Sequence, residues 1–124
     1  MKKIISPKMH GMMDYALGTA LMTLPAMVGV NEKASGNYRK LAAGMSTLNV
    51  LTDTPAGLRK VIPFKTHKKA DAGLLGMLAL ATMSKTIRKD PKALAFHLAL
   101  LGVAGLNYAL TDYNAVGSAT PKTN

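Results

Sequence analysis

The feature that most constrains this chain is an internal repeat. The pattern Ile-x-x-Lys-x-His-x-x-x-Asp begins at Ile5 and again at Ile62, 57 positions later. A second pattern, Leu-Thr-Asp-x-x-Ala, begins at Leu51 and again at Leu110, 59 positions later. Two patterns that recur in the same order indicate a tandem duplication. We therefore interpret the chain as two copies of one unit, with repeat one at about 5–57 and repeat two at about 62–116.

Each unit contains two uncharged runs, and charged residues bound every run. The runs cover residues 15–31, 41–52, 72–84 and 93–111. Leu, Ala and Met, which are abundant in them, are strong helix formers. The sequence therefore predicts an all-α fold, a four-helix bundle of two tandem helical hairpins, in a single domain of 124 residues. We predict a disordered tail at 117–124.

Capping residues predict where the helices begin. A Ser-Pro pair at Ser6 predicts the start of the first helix, and Thr66 predicts that of the third. An Asp-Pro pair at Asp90 predicts the start of the fourth helix. Residues 31–37, which include a glycine, are predicted to form the first turn.

The distribution of positive charge favours a transmembrane chain. The formal net charge is +10, and the Lys and Arg residues gather in short clusters between the uncharged runs. Basic ends around apolar middles are typical of membrane helices, whereas a helix that reads DNA carries its cations along one face. The predicted partners are therefore the lipid bilayer and its anionic headgroups, with a homo-oligomer or another membrane protein as further possibilities, and no nucleic acid.

The length of the runs leaves a soluble alternative open. A spanning helix needs about 20 apolar residues, and the two middle runs have 12 and 13. They span only if the flanking Lys and Arg side chains extend to the interface or the bilayer thins. Runs of this length are also typical of buried core helices. A soluble basic helical bundle that acts as an adaptor is the alternative interpretation.

The duplication also predicts a topology. An even number of crossings separates the two copies, so all four repeated segments lie on one side of the membrane and both hairpin tips on the other. Nine of the 16 Lys and Arg residues fall on the side of the repeated segments. Because positive charge favours the cytoplasmic side, we predict a multi-pass protein of the cytoplasmic (inner) membrane with cytoplasmic termini.

Three segments resemble a known family. They are Lys-x-His-x-x-x-Asp-Tyr beginning at Lys8, Leu-Pro-Ala-Met-Val-Gly at 24–29, and Leu-Thr-Asp beginning at Leu51. Together they are similar to small bacterial membrane proteins of the SPW-repeat type, over about 5–114. The resemblance implies four membrane helices in two repeats and no established activity. This chain differs in having no Trp after Pro25 and no Pro-x-x-x-Gly turn in its second repeat.

The repeated patterns contain two histidines and four aspartates, which the predicted fold brings to one end of the bundle. A spacing of four residues puts the His and Asp of each first pattern on one helix face. Four carboxylates in a site of low dielectric constant repel one another unless cations, protons or a metal ion compensate them. The predicted cluster consists of His10, Asp14, Asp53, His67, Asp71 and Asp112.

Three interpretations of this cluster are open. The first is a structural latch that joins the repeats, in a small integral membrane protein with a structural or accessory role. The second is a divalent metal site, because two His/Asp pairs and two further Asp residues resemble dinuclear carboxylate sites in four-helix bundles. Its candidate ligands are His10, Asp14, His67 and Asp71, and its candidate ions are Zn²⁺, Mn²⁺ and Fe²⁺. The third is a site for protons or a small ligand.

Other kinds of chemistry find little support. The chain has no cysteine, which excludes disulfides, thiolate ligands and cysteine nucleophiles. It lacks a phosphate-binding glycine loop, a nucleophile elbow and a His-Glu-x-x-His motif, so we do not predict an enzyme. His97 lies about 22 Å from Asp112 along one helix. We predict a packed histidine there, bonded to Ser46 or Thr47.

Overall fold

The structure, a computed structural model, describes residues 2–115. Within them the chain forms four long helices, one short helix and no strand. The all-α prediction is therefore confirmed. The helices are α1 (Pro7–Met27), α2 (Glu32–Leu51), α3 (Phe64–Ala81), α4 (Lys85–Arg88) and α5 (Pro91–Leu110). The predicted tail at 117–124 lies outside the described residues.

Two of the three predicted helix starts are confirmed. The Ser6 hydroxyl accepts a hydrogen bond from the Met9 N–H at 3.2 Å, and the Asp90 carboxylate accepts one from the Lys92 N–H at 3.0 Å. The prediction of a cap at Thr66 was wrong, because α3 begins at Phe64 directly after Pro63. Pro63 is the N-cap residue, and its side chain has no oxygen to accept a backbone N–H, so this helix starts without a side-chain cap.

The turn between α1 and α2 is shorter than predicted. It covers 28–31, and Gly29 adopts a φ of 85°, which glycine accommodates without steric cost. The Asn31 side chain then caps α2 by accepting the N–H of Ala34 at 2.9 Å. The prediction of a longer turn that included Gly36 was wrong, since this cap lets the polar stretch begin the helix.

Hydrogen bonds join the two hairpin tips. The Asp90 carboxylate accepts from the backbone N–H and the side-chain amide of Asn31, at 3.1 and 2.9 Å. These bonds hold the pKa of Asp90 below its usual range. The Asn31 amide also donates to the carbonyl of Thr86 at 2.9 Å, in the short helix α4 that the sequence did not predict. We call this the tip end of the molecule.

The opposite end is joined by backbone hydrogen bonds that occur twice. Two extended residues, 57 positions apart, each pair in parallel with the residue that follows a long helix. Ile5 bonds to Leu110 and Asp112 at 2.9 Å each, and Ile62 bonds to Leu51 at 2.8 Å and Asp53 at 2.7 Å. The start of α1 therefore lies beside the end of α5, and the start of α3 lies beside the end of α2. We call this the motif end.

The apolar core lies between these two ends. Its buried members include Leu21, Tyr38, Ala42, Leu78, Ala93 and Leu100. Among the helices of residues 2–115, α5 alone is long and apolar enough to cross a membrane. Of its most apolar window, 22% is buried.

Candidate metal centre

Two helices deliver two pairs of side chains to the motif end. α1 carries His10 and Asp14, and α3 carries His67 and Asp71 at the same spacing. Because residues four positions apart share a helix face, each helix presents its imidazole and its carboxylate together. One ligand atom from each residue lies within 4.8 Å of the other three.

The distances among these atoms are short and nearly equal. His10 Nε2 lies 3.2 Å from Asp14 Oδ2 and 3.1 Å from Asp71 Oδ2. His67 Nε2 lies 3.1 Å from Asp14 Oδ2 and 3.3 Å from Asp71 Oδ1. The two Nε2 atoms are 3.4 Å apart. Each imidazole therefore contacts both carboxylates and also the other imidazole.

Two threonines fix the orientation of the imidazoles. His10 Nδ1 lies 2.8 Å from the Thr111 hydroxyl, and His67 Nδ1 lies 2.7 Å from the Thr52 hydroxyl. Each hydroxyl gives its own proton to a backbone carbonyl one turn earlier in its helix. Each hydroxyl oxygen must then accept a proton from Nδ1. Both histidines consequently carry a proton on Nδ1 and turn Nε2 toward the centre.

The carboxylates also have partners of their own. The Asn107 amide donates to Asp14 Oδ1 at 3.2 Å, and the Tyr113 hydroxyl donates to Asp71 Oδ2 at 2.7 Å. Burial and the charge of Asp71 raise the pKa of Tyr113 far above its usual range. Tyr113 is therefore a proton donor at neutral pH, and it holds the Asp71 carboxylate in place.

The centre is shielded from water. The His10 and His67 side chains are 2% and 1% exposed, and those of Asp14 and Asp71 are 8% and 15% exposed. The rings of Phe64 and Tyr113 contact His10 edge-on, with centroids 5.5 and 5.4 Å away. Charges in such a place interact strongly and must be compensated within the site.

Compensation requires positive charge between the four residues. A lone pair on Nε2 facing a carboxylate oxygen at 3.1 Å is repulsive, so either a proton or a metal ion must occupy that direction. Protons on both Nε2 atoms would bring two cationic rings to 3.4 Å. One divalent cation would neutralise both carboxylates and accept both imidazole lone pairs.

The geometry fits a tetrahedral ion. Zinc bonds of about 2.0 to 2.2 Å give ligand-to-ligand distances of about 3.3 to 3.6 Å in a regular tetrahedron. With Asp71 Oδ2 as the fourth ligand atom, four of the six such distances in this centre lie between 3.1 and 3.4 Å. Zinc-binding histidines also usually donate their other ring proton to a fixed acceptor, as both do here. The four residues could therefore hold a metal ion.

The structure brings together four of the six predicted cluster residues. Asp53 and Asp112 lie outside this group of four, and their backbone N–H groups make the bonds that join the motif end. The Asp112 carboxylate accepts the N–H of Asn114 at 3.0 Å. In each case it is the preceding threonine that contacts a histidine. Thr52 and Thr111 belong to the repeated Leu-Thr-Asp pattern, so the sequence did contain the signal that would have found them.

His97 lies in the other part of the molecule, as its spacing predicted, but its partners differ. Its Nε2 lies 2.7 Å from the carbonyl oxygen of Leu78, and its Nδ1 lies 2.7 Å from the Tyr38 hydroxyl. Because a carbonyl can only accept, Nε2 carries the proton and Tyr38 donates to Nδ1. The predicted bond to Ser46 or Thr47 was wrong, since the ring points away from that part of α2 toward Tyr38 and α3.

Comparison with protein-family models, with curated proteins and with solved structures found no match. The resemblance to SPW-repeat proteins therefore stays a prediction from the sequence.

Proposed function

We propose that this protein binds one divalent transition metal ion, zinc in preference to others, between His10, Asp14, His67 and Asp71. The observation that carries the proposal is the approach of two imidazole Nε2 atoms to 3.4 Å while threonines hold both Nδ1 protons. In that arrangement both unprotonated Nε2 atoms lie 3.1 to 3.3 Å from oxygens of the same two carboxylates. A metal ion is the group that such a site accommodates.

The donor set favours zinc over the other candidate ions. Four nitrogen and oxygen ligands at nearly equal spacing match tetrahedral coordination, whereas Mg²⁺ and Mn²⁺ favour six oxygen-rich ligands. A cavity of about 20 Å³ beside His10, Asp14 and Asp71 has space for about one water molecule. Fe²⁺ with one added water is the next best fit.

The proposed role of the ion is structural. Four protein ligands close the coordination sphere, which is typical of structural rather than catalytic zinc sites. Each hairpin supplies one histidine and one aspartate, so the ion would join the two hairpins where their ends already pair. The ion would therefore serve as the structural latch that joins the two repeats. The alternative, which the experiment must exclude, is a site that holds only protons.

The test is elemental analysis of protein purified without a histidine tag. We expect about one equivalent of zinc in the wild-type protein and less than about a tenth in His67→Gln. His97→Gln is the matched control, because it removes a histidine of equal burial from the other part of the molecule and should keep its zinc. Less than about a tenth of an equivalent in the wild type, before and after zinc loading, would reject metal binding in favour of a proton-filled latch.

The same proposal places the protein in the cytoplasmic membrane as a multi-pass chain built from two copies of one hairpin. In it α1, α2 and α3 would cross only with flanking Lys and Arg side chains extended to the interface or with a thinner bilayer. Paired backbone bonds at positions 57 and 59 apart support the duplication. Membrane placement is supported by α5 and by large apolar side chains exposed on three helices. These are Met22 and Met27 on α1, Met77 and Leu80 on α3, and Leu98, Val103 and Leu106 on α5.

Fractionation of cells tests the membrane placement separately from the metal. Retention of the untagged protein in membranes through high-salt and carbonate washes would support it, and release into buffer would reject it. The chain has no cysteine, so single replacements can report the side. We expect Lys2→Cys to be labelled from the cytoplasm and Lys89→Cys from the opposite side, and labelling of both from one side would reject the proposed topology.

A further inference from the structure

We infer that the groove between α2 and α3 binds one acyl chain of an anionic phospholipid, with the headgroup at the tip end. The larger part of the groove has a volume of about 620 Å³ and is lined by Tyr38, Leu41, Met77 and Leu78 among others. A second part of about 260 Å³ shares Lys40 and Leu41 with it and continues to the motif end.

The interior of the groove favours a hydrocarbon chain over a polar ligand. The polar groups at its floor, Tyr38 and His97, are bonded to each other, and His97 also donates to the carbonyl of Leu78. These groups therefore need no hydrogen bond from a ligand. The rest of the floor is formed largely by apolar side chains from the two facing helices, so an occupant gains chiefly by burying apolar surface.

The charges along the groove set the direction of the ligand. Lys33 and Lys40 line the larger part, together with hydroxyl groups from Ser84 and Thr86, and no acidic residue lines it. The far end meets Asp14 and Asp71. A ligand with one negative group is therefore attracted to Lys33 and Lys40, in the half of the groove nearer the tip end.

The dimensions suit a single chain. From Lys33 to Leu48 the groove follows α2 for about 22 Å at 1.5 Å per residue. One leaflet contributes about 15 Å of hydrocarbon, half of the bilayer core. The groove thus has room for one acyl chain and, beyond it, for contacts between the lysines and a phosphate.

This inference relies on the proposed membrane placement for its supply of lipid, but its test does not. Purified protein in detergent is mixed with phosphatidylglycerol and phosphatidylcholine that carry identical acyl chains, and bound lipid is counted by native mass spectrometry. We expect one retained phosphatidylglycerol, preferred over phosphatidylcholine by about tenfold because two lysines face the headgroup. Equal retention of the two lipids would overturn the assignment of an anionic ligand.

Two pairs of variants locate the binding. In Gly44→Phe the new side chain projects from α2 into the groove, where a Cβ meets nothing within 4 Å. It should abolish retention, whereas Gly73→Phe, on an open and exposed face of α3, should leave retention unchanged. Lys33→Gln/Lys40→Gln should remove the preference for phosphatidylglycerol, and Lys2→Gln/Lys60→Gln, which loses equal charge elsewhere, should keep it. Unchanged retention in Gly44→Phe with a wild-type melting curve would overturn the site itself, and it would leave the fractionation and zinc results untouched.

Discussion

At the motif end His10 and His67 turn one ring nitrogen each toward two carboxylates, whereas His97 nearer the tip end has both ring nitrogens bonded to neutral partners. All three side chains are buried to the same degree, with 1% exposure of each residue. Burial therefore does not distinguish a candidate ligand from a packing residue. The distinction lies in what the second nitrogen meets, namely a carbonyl and a hydroxyl for His97 and a pair of negative charges for the other two.

The largest expected effect is that of removing an imidazole from the motif end. His67→Gln should lower the free energy of unfolding by about 3 to 5 kcal/mol, because two buried carboxylates lose a partner. Melting in detergent by circular dichroism measures the change, with zinc content determined in parallel. His97→Gln can keep one donor and one acceptor and should cost about 1 to 2 kcal/mol. If the two variants melt alike, the partners of the second ring nitrogen do not distinguish the two ends.

A chelator sharpens the same comparison without changing the sequence. Zinc at about a thousand times its dissociation constant stabilises a folded protein by about 4 kcal/mol. Excess EDTA should therefore lower the melting temperature of the wild type and of His97→Gln, and should leave that of His67→Gln unchanged. A wild-type melting curve indifferent to EDTA and to added zinc would count against the metal.

A smaller effect is expected when only the orientation of the imidazoles is disturbed. Thr52→Val/Thr111→Val keeps the side-chain volume but removes the acceptors of both Nδ1 protons. Loss of such outer partners lowers metal affinity about 10- to 100-fold, which competition with a zinc-sensitive dye measures. Thr47→Val is the matched control, since that exposed hydroxyl makes the same bond to a backbone carbonyl four residues earlier and contacts no histidine. Equal zinc affinity in the double variant and the control would show that the two threonines do not contribute to metal binding.

The smallest effect should come from Asp112→Asn. Its side-chain oxygen can still accept the N–H of Asn114, so the free energy of unfolding should change by less than about 0.5 kcal/mol. Zinc content should stay at the wild-type value, whereas Asp71→Asn should lose the ion. Zinc loss in Asp112→Asn would show that this carboxylate belongs to the cluster, as the sequence predicted.

The sequence predicted the two His/Asp pairs because they depend on local geometry. The spacing of four residues in His10 and Asp14, and its recurrence in His67 and Asp71, is enough to put each pair on one helix face. Helix starts at Ser6 and Asp90 were predictable for the same reason, because a cap acts within three residues. The four-residue helix α4 has too few residues for any periodic signal.

The remainder of the site depends on contacts between distant segments. Thr52 and Thr111 lie inside the repeated pattern, but only the neighbouring aspartates carry the charge that predicts a polar site. Asn107 and Tyr113 have no counterparts in the first repeat, where positions 48 and 54 hold Leu and Thr. No pattern in one sequence could indicate that these two residues hold the carboxylates, since only the folded chain brings them there.

The paired backbone bonds at the motif end have a consequence for chain order. Residue 5 lies beside residue 111, and residue 52 lies beside residue 62, so the polypeptide runs in a nearly closed ring. A circular permutant that joins the segments at residues 5 and 111 and opens the linker near residue 60 would keep each His/Asp pair together on its helix. We expect the two hairpins, made as separate chains, to bring the same four side chains together, which co-purification of the two chains would check. What the centre requires is two hairpins facing each other, and the order in which they are encoded is immaterial to it.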